Sequence, residues 1–280
     1  MVSIMTGVDS GVVERRFYPH ASMKPAMSVA RYRDAAGHTS ERWALFNECI
    51  NAFWQQKFSG DRCIYDGDDL QIAVSSALDD EQGMILVPTD GRSRIVVQEK
   101  VACTLCLDET GAWTMAAFID RLSASGGDLC GADNLFYYPT RALDDLPNHA
   151  IPATVRALTL ADRPVFDAFT AAMPAEDFDT ASVELDHWRV FGAFEQDRLV
   201  CAGSVYAWWN SCLADMGVLT LPEFRGNGHA RGVVRAMSVA ACREGLEPQY
   251  RCQLDNPASA AVARAAGMRL YGTLDELIRI

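Results

Sequence analysis

The sequence lacks several features that would each assign a function class. No stretch approaches the ~18–20 consecutive apolar residues that a membrane-crossing helix needs. Basic charge is scarce: 25 Lys and Arg stand against 37 Asp and Glu, a formal net charge of −12, and neither half is basic. Proteins that bind nucleic acid carry a basic footprint, so no such partner is expected. The first residues lack the ordered charged, apolar and cleavage regions of a secretory leader. The nine cysteines are an odd number spread along the chain, which argues against a disulfide framework and for a reducing cytoplasm. Cys103-Thr104-Leu105-Cys106 is a lone C-x-x-C without a second pair or nearby His, so it reads as structural and no metal site is expected.

What is present is informative in one place above all. Leu221-Pro222-Glu223-Phe224-Arg225-Gly226-Asn227-Gly228-His229-Ala230 joins an apolar strand pattern, Met216 to Leu221, to an amphipathic helix pattern starting near Ala230. A turn rich in glycine that feeds a helix N-terminus leaves backbone N–H groups pointing one way, at the positive end of the helix dipole. Gly226 and Gly228 allow close approach of a phosphate and unusual backbone angles. The loop lacks the Lys-Ser/Thr of a Walker motif and the third glycine of a Rossmann fingerprint. A pyrophosphate cradle of another kind remains, with the pattern Arg-x-x-Gly-x-Ala.

The elements around it form a compact series from Pro152 onward. Thr154 to Leu158 alternates as a strand, Ala161 to Met173 reads as a helix, and an acidic helical stretch follows from Glu176 to Leu185. Arg189 to Phe194 and Leu199 to Tyr206 form a hairpin around Glu195 to Arg198, and Asp215 to Leu221 is the strand entering the loop. The helix after the loop places Ala230, Val233, Val234, Met237, Ala240 and Ala241 on one face, with Gly245 at its end. Tyr250 to Leu254 is a strand, Asn256-Pro257 starts a further helix that Gly267 closes, and Met268 to Leu274 is the last strand.

The loop, the element order and the segment Cys252-Gln253-Leu254-Asp255-Asn256, followed by Ala-Gly-Met at 266–268, resemble the GCN5-related N-acetyltransferase (GNAT) superfamily over residues 152–280. The resemblance implies an α/β fold around a central mixed sheet, with acetyl-CoA as acyl donor and no metal. It places pantetheine along the backbone of Val218, Leu219 and Thr220, and the pyrophosphate on Arg225, Gly226, Asn227, Gly228, His229 and Ala230. Asn256 and the helix carrying Ser259 would flank the pantetheine arm.

Acetyl transfer to an amine needs a base, because an ammonium has no lone pair. Asp215 stands at the strand start where many family members carry a Glu base, and is the candidate here. The helix tyrosine that usually acts as acid is missing: seven residues after Asn256 stands Ala263, and Ser259, Tyr250 and Cys252 remain open alternatives. Glu176, Asp177, Asp179, Glu184 and Asp186, with His187, Trp188, Trp208, Trp209 and Asn210, suit a cationic acceptor, although a solvated helix face explains the carboxylates equally well. These features point to a cytoplasmic N-acetyltransferase acting on a primary amine, more a small molecule than a protein, by direct transfer in a ternary complex. A homodimer is compatible with them. The rival reading is an acyl-CoA-binding regulatory module with a weakened catalytic centre, which Ala263 and the featureless N-terminal half motivate.

The 280 residues, 49% hydrophobic, suffice for one large or two ordinary domains. Residues 1–40 read as an irregular arm and 41–150 as an α/β unit, compatible with a degenerate GNAT-like half. That unit has a helix over Glu41 to Phe58, strands at Ile72–Ala77, Met84–Pro88, Arg94–Val97 and Leu135–Tyr138, and a helix over Trp113–Leu122. A boundary is expected in Leu143 to Pro152, ahead of the acetyltransferase unit at 151–280.

Overall fold

The structure, a computed structural model, describes residues 45–78, 83–89, 91–107, 111–174, 177, 181–209 and 211–279. The expectations for the arm at 1–40, for Trp43, and for Glu176, Asp179 and Asn210 lie outside the described residues.

The N-terminal half runs α1 (Glu48–Ser59), β1 (Arg62–Asp66), β2 (Leu70–Val74), β3 (Gly83–Pro88), β4 (Ser93–Val97), α2 (Glu99–Thr104), α3 (Met115–Ala124), β5 (Asp128–Leu129), β6 (Asp133–Tyr137) and α4 (Thr140–Asp145). The C-terminal half continues with β7 (Val155–Leu158), α5 (Arg163–Ala171), β8 (Arg189–Glu195), β9 (Arg198–Ala207), β10 (Leu213–Thr220), α6 (His229–Arg243), β11 (Glu247–Gln253), α7 (Pro257–Ala266) and β12 (Arg269–Arg279).

Local chemistry accounts for the sharpest boundaries. Gln196 and Asp197 take φ of 47° and 64°, the left-handed pair that lets a two-residue turn follow the twist of β8 and β9. Asn256 caps α7 by accepting the Ser259 N–H at 2.9 Å, with Pro257 at the first helical position. Helix α6 buries Val233, Val234, Met237 and Ala241 against the sheet and turns Arg231 outward. Gly245, at φ 77°, ends it in the left-handed conformation that a Cβ would oppose.

One sheet of 12 strands crosses the molecule in the order β1-β2-β4-β3-β12-β6-β11-β10-β9-β8-β7, with β5 beside β12. The chain passes between its halves through α4, where the sequence suggests a boundary, yet the sheet runs on without a break. The last strand, β12, pairs with β3 and β6, and β6 pairs with β11. Asp133–Tyr137 is thus a strand of the N-terminal half seated between two strands of the C-terminal half.

Each sheet face is covered. Helices α6 and α7 pack on one face over Phe136, Val205, Met216 and Tyr250. On the other face α5 packs over Val190, Leu199 and Leu219, and α1 packs Ile50, Trp54 and Phe58 over Tyr137, Trp208, Leu213 and Tyr271. Trp54 is fully buried and donates its indole N–H to the Tyr137 hydroxyl at 2.9 Å. Truncating such an anchor to Ala costs about 3–5 kcal/mol, so α1 belongs to the fold rather than decorating it.

Cys49 on α1 and Cys212 beside β10 form a disulfide across 163 residues of chain, where the odd cysteine count gave no reason to expect a bridge. The other seven cysteines stand outside any disulfide.

Candidate active site

Strands β10 and β11 are parallel neighbours for four residues and then separate. Their register runs from Leu213↔Glu247 to Met216↔Tyr250. Beyond that point β10 stays paired with β9 as far as Thr220↔Cys201, and β11 stays paired with β6 as far as Gln253↔Asp133. The two facing edges therefore diverge from Gly217 onward, and their backbone polar groups are turned toward each other across a wedge. An extended chain carrying amides can hydrogen-bond there as an extra strand would. Val218, Leu219 and Thr220 lie on that edge, with the Thr220 carbonyl accepting from Arg225 Nε at 3.2 Å.

The wedge leads to the glycine loop. Gly226 and Gly228 both sit at φ 83°, and Gly228 is the N-cap of α6 with no side chain capping the helix. The first N–H groups of a 15-residue helix are thus presented through a loop of exposed backbone. A Cβ placed on Gly226 would stand in open space, so that glycine serves its backbone angle alone. Arg225 Nη2 pairs with Asp177 Oδ2 at 2.7 Å, and His229 Nε2 lies 2.8 Å from Glu195 Oε1. Asn227 is exposed and Ala230 half-buried at the same loop.

On the other side of the wedge, Ser259 Oγ and the Tyr250 hydroxyl are 2.7 Å apart. Burial raises the Tyr250 hydroxyl above its usual range, against the Ser259 hydrogen bond that lowers it, so it stays a proton donor. Ala263 lies one turn beyond Ser259 and is fully buried in the same cluster as Tyr250.

Asp215, expected as the base, has a different setting. It is 2% exposed and its two oxygens receive four hydrogen bonds. Oδ1 accepts from Gln249 Nε2 at 3.1 Å; Oδ2 accepts from the Tyr206 hydroxyl at 2.8 Å and from Arg251 Nε and Nη2 at 3.0 and 2.8 Å. Arg251 Nη1 also reaches Asp133 at 3.2 Å, and the Tyr137 hydroxyl donates to Gln249. Burial first, and then the charge of Asp215, push the Tyr206 hydroxyl above its usual range, which keeps it a donor to that carboxylate. A carboxylate so surrounded ties β10 to β11 through its ion pair with Arg251.

The aromatic pair expected to line the acceptor site also has another role. Trp208 is 4% exposed, stacks on Trp209 at 4.3 Å, and packs under Trp54. Lys57 of α1 stands 4.3 Å from the Trp209 ring and Arg251 lies 4.4 Å from that of Trp208, so protein cations occupy these faces. Trp188 packs against the core beneath α6 with Arg189 over its ring.

His187 is placed close to the wedge. Its Nδ1 is 2.7 Å from Ser204 Oγ, and its ring lies 5.1 Å from that of Tyr206. Ser204 is fully buried on β9, opposite Gly217, the first residue past the last β10–β11 pair. The segment carrying His187 closes over β10 because Gly217 has no side chain, and a Cβ there would strike the Ala181 carbonyl. The sequence marks His187 as lying on the acceptor side. The roles of Ser204, Tyr206, Gln249 and Arg251 depend on strand register, which no local pattern displays.

Residues 159–268 match the model of the acetyltransferase (GNAT) family. The C-terminal half carries a GNAT domain. Solved structures similar to the chain include an acetyltransferase of the GNAT family from Colwellia psychrerythraea, at 17% identity over 71% of this chain and 81% of that one, with a TM-score of 0.45. A GCN5-related N-acetyltransferase-like protein from Streptococcus suis matches at 16% identity over 72% and 85%, with a TM-score of 0.40. A GCN5-related N-acetyltransferase from Kribbella flavida matches at 17% over 57% and 62%, with a TM-score of 0.42. No curated protein matches the chain. Among the described residues no group of His, Cys, Asp and Glu could hold a metal ion, and no helix is long and apolar enough to cross a membrane.

Proposed function

We propose that this protein is an acetyl-CoA-dependent N-acetyltransferase that acetylates a primary amine of a small molecule by direct transfer in a ternary complex. The observation that carries this reading is the wedge between β10 and β11, which opens at Gly217 and leads to the uncapped N-terminus of α6. The parts fit a CoA thioester in order: a strand edge at Val218, Leu219 and Thr220 for the pantetheine amides, and the backbone of Gly226 to Ala230 for the pyrophosphate. Gly226 and Gly228, both left-handed, hold that loop in a shape that other residues adopt at a cost.

Acetyl-CoA supplies an activated acyl group; the chain's own residues bind it, orient it and move protons. Arg225 exchanges its partner Asp177 for a phosphate oxygen, one anion for another. Asn256 holds the start of α7, and half-buried Ser259 with buried Tyr250 places a hydroxyl pair on the wall of the wedge.

The test is release of free thiol from acetyl-CoA in the presence of polyamines, aminoglycosides and amino acids. Turnover with at least one of these amines is expected. A second reading, an acyl-CoA-binding module without turnover, draws on the ion-paired Asp215 and on Ala263. It predicts tight binding of acetyl-CoA with no thiol released.

A further inference from the structure

We propose that His187 is the base that takes the proton from the acceptor amine, with Ser204 fixing its tautomer and position. This rests on the acetyltransferase reading above and names the group that completes it.

The argument begins with location. Along β10, Asp215 and Gly217 point to one face of the sheet, and their partners on β9, Tyr206 and Ser204, point the same way. Ser204 therefore marks, on the face opposite α6 and α7, the level at which the wedge opens. His187 is bonded to that serine, so its imidazole stands over the mouth of the wedge. Asp215 lies one step deeper, where β10 and β11 are still paired, and its oxygens are committed to Arg251, Gln249 and Tyr206.

The hydrogen bonds around Ser204 fit one assignment of the acting nitrogen. The Ser204 hydroxyl donates to the Ser182 carbonyl at 3.3 Å, and Ser204 Oγ accepts the Glu184 N–H at 3.3 Å. In the tautomer assigned here the Ser204 hydroxyl donates to Ser182 and its Oγ accepts the 2.7 Å contact from His187 Nδ1–H. A neutral imidazole protonated at Nδ1 has its basic lone pair on Nε2. The buried serine thus does for His187 what a carboxylate does in other catalytic histidines: it fixes ring and tautomer from behind.

The proton balance closes with groups already present. The neutral amine attacks the thioester carbonyl, the C–N bond forms as the C–S bond breaks, and Nε2 takes the proton that nitrogen sheds. The imidazolium then gives a proton to the departing thiolate or to water, and the neutral tautomer returns. This route dispenses with the helix tyrosine whose place Ala263 takes.

The experiment uses the full chain and bromoacetyl-CoA, which sets an electrophilic carbon where the acetyl group would lie. The imidazole of His187 displaces bromide, forming a C–N bond that peptide mass spectrometry locates. Labelling at His187, blocked by excess acetyl-CoA, absent in His187→Gln and slowed in Ser204→Ala, is the expected result. Labelling at Tyr250 or Cys252, with His187 untouched, would overturn the assignment while leaving the donor site intact. Failure of bromoacetyl-CoA and acetyl-CoA to bind would instead overturn the acetyltransferase reading itself, and this inference with it. With any amine that the wild type acetylates, His187→Gln should lower kcat by about 100-fold or more with acetyl-CoA affinity unchanged, the range a positioned base supplies. An unchanged kcat would reject the role.

Discussion

Arg251 grips Asp215 through two nitrogens, Nε at 3.0 Å and Nη2 at 2.8 Å, across strands that are parallel neighbours. The pair ties β10 to β11 at the level just below their divergence, and through Arg251 Nη1 it extends to Asp133 on β6. Three strands are thereby locked where the wedge begins. Asp215→Ala should therefore read first as a stability variant. It strips the main partner from Arg251, whose side chain is one quarter exposed. The expected cost is about 3 kcal/mol, the low end of the range for breaking a buried ion pair. Urea unfolding measures it. Asp215→Asn, which keeps the shape and one acceptor oxygen but removes the charge, should lose less stability and retain acetyl transfer; a base at Asp215 would make both variants equally inactive.

Strand β6 makes a second prediction. Because Asp133–Tyr137 fills the space between β11 and β12, residues 151–280 alone would expose the edges of both strands and the apolar surface that Leu135, Phe136 and Tyr137 cover. That fragment should lack a cooperative melting transition by circular dichroism, and co-expression with residues 1–150 should restore one. A fragment that melts cooperatively by itself would show that β6 is dispensable.

The contrast between what could and could not be read from the sequence has the same origin. Gln196–Asp197, Gly228, Gly245, Asn256–Pro257 and Gly267 each carry their conformational demand within a few residues, so the hairpin and helices of the C-terminal half stand out in the sequence. Strand β1, Arg62–Asp66, is mostly exposed and offers no alternation to detect. The insertion of β6 beside β11 pairs residues more than 110 positions apart, such as Tyr137 and Gln249, and no local pattern encodes that choice. Asp215 could be read as a base because its partner Arg251 is 36 residues away and meets it only through parallel register. Trp208 and Trp209 could be read as site aromatics for the same reason: the helix that covers them, α1, lies in the other half.

Glu247 provides a test by pH. It is 9% exposed beneath α1, where Asn47 donates to it, and burial, with the nearby Asp144 charge, pushes its carboxyl up to about 7. A carboxyl whose folded value lies above its unfolded one binds its proton more tightly in the folded chain. Its contribution is therefore fully present below about pH 4.5 and is lost as pH rises toward about 7. Glu247→Gln, which keeps the acceptor for Asn47 and removes the charge, should be more stable than the wild type at pH 8 by about 1–3 kcal/mol. The two should converge below about pH 4.5. Parallel stability curves across that range would show that Glu247 is not held neutral by the fold.

The central claim is that the wedge and the α6 N-terminus bind a CoA thioester, and calorimetric titration with acetyl-CoA tests it most directly. Wild-type protein should bind, while Arg225→Ala should weaken binding by about tenfold, the loss of one charge-assisted contact. Gly228→Val, which forces a β-branched residue to φ 83° at the helix start, should abolish it. A wild type that binds no acetyl-CoA, or a Gly228→Val variant that binds it as tightly as the wild type, would contradict the account.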